Sequence, residues 1–124
     1  MNWTGGLIIG AGIVAFLLWR RFTLLRPDQA RACLRQGAVV IDVRSEAEFR
    51  ERHLPVAINI PLGRLREEIG RHAPNKDQGI LLHCLSGGRS GLGQGVLKGM
   101  GYRNAHNLGS YGRAEKILGE ILKR

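Results

Sequence analysis

Ile80-Leu81-Leu82-His83-Cys84-Leu85-Ser86-Gly87-Gly88-Arg89-Ser90 is the stretch on which the reading of this chain turns. Ile80 to His83 is a short apolar run of the kind that forms a buried strand. Cys84 ends it, a glycine turn follows, and Ser90 to Met100 can be helical despite its glycines. A cysteine between a strand and a helix start sits where successive backbone N–H groups turn inward and the helix N-terminus adds partial positive charge. Both favour thiolate over thiol, so the sequence predicts a nucleophilic sulfur at Cys84 near neutral pH.

Strand and helix signals alternate on both sides of this segment. Pro27 and Asp28 open a helical pattern with Ala30, Cys33 and Leu34 on one face, closed by Gly37. Ala38 to Val43 is a β-branched run typical of a strand covered on both faces. Ser45 can cap a short helix with Glu46 and Glu48 near its positive end. Ile58 to Ile60 reads as a brief strand, Leu62 to Ile69 as a helix and Gly70 to Gly79 as a polar loop. Tyr102 to Leu108 reads as a last strand, Gly109 and Gly112 as a turn, and Ala114 to Leu122 as a terminal helix. The alternation predicts an α/β fold, a small parallel sheet with helices on both faces. Active sites in such sheets lie beyond the carboxyl ends of strands, where Asp42-Val43-Arg44 and Cys84 both fall.

The first quarter reads differently. Trp3 to Trp19 contains no charge, is bracketed by tryptophans, and as a helix spans roughly 25 Å. Arg20, Arg21 and Arg26 follow it, and no basic side chain precedes it. The expectation is one uncleaved transmembrane helix, with residues 1–26 as anchor and basic flank and residues 27–124 as the domain. Positive charge stays inside, so the N-terminus should face out and the domain the cytoplasm, as at a bacterial inner membrane. Gly6 and Gly10 form a Gly-x-x-x-Gly pair, a spacing that lets two such helices pack as a homodimer.

Composition narrows the partners. The net charge is +9, yet the basic residues are dispersed and not interleaved with aromatics, which argues against nucleic acid. Attraction of a small anionic substrate, or a face beside anionic lipid, suits that surface better. The two cysteines, Cys33 and Cys84, read as free thiols, with Cys33 a small core residue. His53, His72, His83, His106 and Cys84 show no metal-ligand spacing, so no metal is expected.

Three blocks together resemble the rhodanese family of sulfurtransferases: Ile41-Asp42-Val43-Arg44 with Glu48-Phe49, His53-Leu54-Pro55 running on to Asn59-Ile60-Pro61, and Cys84 to Ser90. The resemblance covers about Pro27 to Leu122. It implies a single rhodanese domain carrying sulfane sulfur on Cys84 as a persulfide, with no other cofactor. The chemistry follows from the residues too. Thiolate at Cys84 attacks the outer sulfur of an anionic donor such as thiosulfate, and cyanide or a thiol then takes that sulfur in a second half-reaction. The loop amides from Leu85 through Ser86, Gly87, Gly88 and Arg89 to Ser90 are the candidate cradle. Arg89 either contacts the donor or braces the loop through a carboxylate. Asp42 and Arg44 read as scaffold, with Arg44 free to pair with Glu48. His53 resembles the family histidine that braces the region beside the active loop, and His83 should face away from Cys84. Arg52, Val56 and Ser110 stand where the family commonly has glycine.

Rival functions are a sulfur or selenium relay loaded by another protein, a tethered interaction module, and a phosphatase. The phosphatase reading suffers from loop length. Related phosphate-ester hydrolases use Cys-x5-Arg, whereas this chain has Cys84-x4-Arg89, a smaller ring better matched to one sulfur.

Overall fold

The computed structural model describes residues 3–122. Four strands form one parallel sheet: β1 (Val39–Asp42), β2 (Ala57–Asn59), β3 (Ile80–His83) and β4 (Ala105–Gly109), in the spatial order β2-β1-β3-β4. The helices are α1 (Trp3–Thr23), α2 (Pro27–Arg35), α3 (Glu46–Glu51), α4 (Leu65–His72), α5 (Gly88–Gly99) and α6 (Tyr111–Leu122), with a 3-10 turn at Leu62–Arg64 leading into α4. This is the predicted parallel sheet flanked by helices.

Alternation along the strands divides the core. Ile41, Val43, Ile80, Leu82 and Cys84 point to one face and pack with Leu65 and Ile69 of α4 and Leu97 of α5. Val40 and Leu81 point to the other, against Ala30 of α2 and Ala114, Ile117 and Leu118 of α6. Asp42 and His83 continue this second row and are both fully buried, so polar side chains end an otherwise apolar layer just where the active loop begins.

Several boundaries differ from the sequence reading for local reasons. Helix α4 runs through Gly70 to His72, since a glycine in an open, exposed position lowers helix propensity without ending the helix. Tyr102 is no strand residue. Its hydroxyl donates to the Ala73 carbonyl at 2.7 Å and its N–H to the Leu97 carbonyl at 3.0 Å, which makes it a plug beneath α4 and α5. Helix α6 starts at Tyr111, because the Ser110 hydroxyl accepts the Arg113 N–H at 3.1 Å and caps it, and Gly112 lies inside the first turn.

The N-terminal expectation needs correction. Helix α1 forms, and its side chains from Trp3 to Leu18 are exposed. Among the described residues, however, no helix is long and apolar enough to cross a membrane. The uncharged stretch from Trp3 to Trp19 is 17 residues, diluted by Thr4, Gly5, Gly6, Gly10 and Gly12, against about 20 predominantly apolar residues for a span. The single-pass span falls, and with it the inside–outside topology inferred from the flanking arginines. The chain after α1 also joins the sheet. Leu24 bridges to Asn107 in parallel, the Leu25 N–H donates to the Asn107 carbonyl at 2.9 Å, and Leu25 is buried among α2 and α6 residues.

Candidate active site

Cys84 follows directly on β3, and its own N–H is held by the Gly109 carbonyl of β4 at 3.2 Å. The loop must then reverse and enter α5. Gly87 makes this possible by adopting φ +97°, a left-handed conformation that glycine takes at little cost. It serves as the residue before the first turn of α5 and aims its N–H at the Cys84 Sγ, 3.0 Å away. The Ser90 N–H and Ser90 Oγ each lie 3.4 Å from the same sulfur. Of the expected cradle amides, the structure therefore brings Gly87 and Ser90 onto Sγ. Ser90 is fully buried in the first turn of α5 and acts on the sulfur rather than as a helix cap.

Burial, the largest single influence, pushes the Cys84 thiol up. The Ser90 hydroxyl and the Ser90, Gly87 and Ser86 N–H groups push it down, and together they prevail. The nucleophile predicted from the strand–turn–helix pattern thus has an environment that favours its charged form. Cys84 is nevertheless 0% exposed. Both cysteines are free thiols. Cys33 is half-buried and packs beside the α2–α6 layer.

Three contacts fasten the loop from β4 and α6. Asn107 Nδ2 donates to the Gly87 carbonyl at 3.3 Å while Asn107 Oδ1 accepts the Gly109 N–H at 2.8 Å. The Tyr111 N–H donates to the Leu85 carbonyl at 3.1 Å, and Ser86 bridges Ser110. Asn107 and Tyr111 escape sequence reading because each reaches the loop across twenty residues or more, to a main-chain carbonyl. Leu85, between them, projects into solvent.

Asp42 and Arg44 form the buried scaffold. The Arg44 main-chain N–H (2.9 Å), Nε (3.0 Å) and Nη2 (2.8 Å) all donate to the Asp42 carboxylate. Arg44 Nη2 also donates to the Arg52 carbonyl at 2.7 Å, and Asn59 Nδ2 donates to the Asp42 and Arg44 carbonyls at 3.0 Å each. Arg44 does not take Glu48 as its partner. The carboxylate two residues away on β1 offers a pair that fixes the strand end, and Glu48 goes elsewhere.

Glu48 goes to Arg89. Arg89 Nη1 and Nη2 meet the two Glu48 carboxylate oxygens at 2.7 and 3.0 Å. Arg89 thus meets the kind of carboxylate that the bracing role calls for. On its other side Glu48 completes a capping box with Ser45 at the start of α3. The sequence places Glu48 only near the positive end of that helix, and its pairing with Arg89, 41 residues away, is not visible there. The Arg89 hydrogen bonds are the foremost cause of a Glu48 carboxyl lowered to about 2.

His53 stacks on Phe49 with ring centroids 3.9 Å apart and its Nδ1 lies 2.7 Å from the Phe49 carbonyl, so it caps the end of α3 rather than reaching the loop. His83 faces away from Cys84, as strand alternation predicts. It is fully buried beside Asp42 (Nε2 to Oδ2 3.9 Å) and edge-on to Tyr111, and among the described residues neither ring nitrogen finds a hydrogen-bond partner. The family-glycine positions prove undemanding. Arg52 has φ −163°, ordinary extended backbone, and among the described residues only glycines take a positive φ. The guanidinium of Arg52 lies over the Tyr111 ring, 4.3 Å from its centroid.

Comparison with known proteins agrees with this geometry. A family model described as "Rhodanese-like domain" matches residues 26–112. The chain is 36% identical over 69 residues to "Thiosulfate sulfurtransferase PspE" of Escherichia coli (strain K12), across 56% of this chain and 66% of that protein. To "Thiosulfate sulfurtransferase GlpE" of Pseudomonas savastanoi pv. phaseolicola it is 26% identical over 87 residues, across 70% of this chain and 80% of that one. The solved structure "rhodanese with anions from E. coli" superposes with a TM-score of 0.60 at 32% identity, covering 62% of this chain and 91% of that one.

Proposed function

The chain belongs to the rhodanese family as a thiosulfate sulfurtransferase-like enzyme, and on that premise we propose that it moves sulfane sulfur through a persulfide on Cys84. The observation that carries the reading is the pair of fixed N–H donors on the Cys84 sulfur, from Gly87 and Ser90, with the Ser90 hydroxyl 3.4 Å away. Donors already in place stabilise an anionic sulfur without reorganising when the charge arrives.

In the first half-reaction the Cys84 thiolate attacks the outer sulfur of an anionic donor such as thiosulfate. The S–S bond of the donor breaks, sulfite leaves with the electron pair, and Cys84–S–S⁻ remains. In the second, cyanide or a thiolate attacks the terminal sulfur and the Cys84 thiolate is restored. No general base is needed and ping-pong kinetics follow. Ser90 suits both states. Its hydroxyl donates to the Gly87 carbonyl at 3.1 Å beside a neutral thiol and can turn to the sulfur when that is charged. The Gly87 carbonyl then keeps the Asn107 amide and the Gly91 N–H, so no acceptor is stranded.

The test uses the full-length chain. After incubation with thiosulfate, intact-mass and peptide mass spectrometry should locate one added sulfur on Cys84, and addition of cyanide should remove it as thiocyanate. Cys84→Ser should abolish both and keep the fold, while Cys33→Ser retains both. Sulfur carried on Cys33, or turnover by folded Cys84→Ser, overturns the assignment.

A further inference from the structure

We propose that Glu48 sets the charge preference of the site: by holding Arg89 in a two-point ion pair it offsets the cation nearest the Cys84 loop, so the site gains little from a doubly charged sulfur donor over a singly charged one. This rests on the sulfurtransferase reading above and concerns which donors that site accepts. Four observations lead to it. The Arg89–Glu48 contact is fork to fork, with both guanidinium nitrogens on separate carboxylate oxygens at 2.7 and 3.0 Å. Glu48 is also gripped from behind, where its Oε1 accepts the Ser45 N–H at 3.2 Å and the Ser45 hydroxyl at 3.1 Å. A cleft of about 410 Å³ beside the loop at Leu85 is lined by Arg44, Arg52, Glu48 and Glu51, two cations and two anions. Arg44 is in turn neutralised by Asp42, and Arg52 meets Glu115 at 3.4 Å. On this side of the loop each of the three arginines, Arg44, Arg52 and Arg89, thus meets a carboxylate, in a chain of net charge +9.

Thiosulfate and methanethiosulfonate separate the effect of charge from the chemistry. Both offer a terminal sulfane sulfur on a sulfonyl group, the first as a dianion and the second as a monoanion. With either, Cys84–S⁻ bonds to that sulfur, the donor S–S bond breaks, and the electron pair departs on sulfite or methanesulfinate. Cys84–S–S⁻ forms, and no proton or outside reductant takes part.

Glu48→Gln removes the charge and keeps the α3 cap, since glutamine serves equally at that position. One charge acting on a dianion across several ångströms of water-like dielectric is worth about fivefold, and on a monoanion about twofold. At low ionic strength kcat/KM should therefore rise about fivefold for thiosulfate and about twofold for methanethiosulfonate, mostly through KM, and both gains should fade in roughly 0.5 M salt. A purely structural role lowers both donors together and leaves their ratio where it was. Arg89→Gln provides the opposite arm: it leaves Glu48 unbalanced and should lower the thiosulfate-to-methanethiosulfonate ratio by about twofold. A ratio that stays level or moves the other way in either variant overturns the role of Glu48 alone. Wild-type protein that takes sulfur from neither donor overturns the sulfurtransferase reading itself.

Discussion

Replacing Ser90 by alanine isolates one of the donors that hold the Cys84 sulfur. The change deletes the hydroxyl 3.4 Å from Sγ and leaves the Ser90 N–H, also at 3.4 Å, and the Gly87 N–H at 3.0 Å. Alanine suits the first turn of α5. The Gly87 carbonyl, which loses the hydroxyl, keeps the Asn107 amide at 3.3 Å and the Gly91 N–H at 3.1 Å. Little else should move, and the loss falls on the charged state of the sulfur. A hydrogen bond to an ionised group contributes about 1.5–3 kcal/mol. The long approach and the sulfur acceptor argue for the lower end, so thiolate should become about tenfold scarcer relative to thiol. The assay is the pH dependence of alkylation by iodoacetamide, wild type against Ser90→Ala. Each profile is scaled to its own high-pH plateau, so a difference in access to the buried thiol does not enter the comparison. The rates should differ about tenfold on the acid side and converge once both thiols are ionised. A profile that superposes on the wild type, or moves to lower pH, in a folded variant would refute the idea that this hydroxyl stabilises the anion.

Asp42→Asn should cost about 3–5 kcal/mol in urea unfolding, because it strands the Arg44 guanidinium with both side chains about 6% exposed or less; a loss under about 1 kcal/mol would show that the pair is not holding the end of β1. Gly87→Ala places a Cβ on a residue at φ +97°, a strain of about 1–2 kcal/mol, and it should slow persulfide formation more than it lowers stability by swinging the Gly87 N–H off the sulfur. Burial, ahead of the opposing pull of Asp42, holds His83 neutral below the pH at which a free imidazole protonates. The unfolded chain then binds the extra proton, so stability should be complete above about pH 6.5 and decline as pH falls beneath it. His83→Leu should flatten that decline in chemical denaturation and be neutral or stabilising near pH 7, since both ring nitrogens lack partners. A steeper decline in the variant would show that the histidine is paired.

The parallel sheet and the strand–turn–helix around Cys84 were legible because each rests on local pattern: β-branched runs, the Ser45 cap, and glycines at the loop. What stayed hidden depends on pairings far apart in the chain. Glu48 has two plausible cations, Arg44 and Arg89, and only the fold shows that Asp42 already satisfies the nearer one. Glycine misled in both directions, since Gly70 and Gly112 read as breakers yet lie within helices. The burial of Cys84 could not be read either, because the pattern places the sulfur inside the loop without saying how tightly the loop closes.

Asn107 sits where β4 meets the Leu24–Leu25 segment on one side and the Gly87 turn on the other. That segment covers the outer border of the sheet, and the main-chain groups it occupies on β4 would otherwise stand open to any passing strand. A shortened chain beginning at Pro27 would lose this cover at the border nearest the reactive sulfur. Such a fragment should therefore self-associate and hold its loop less firmly, and work on the isolated domain is better begun upstream of Leu24.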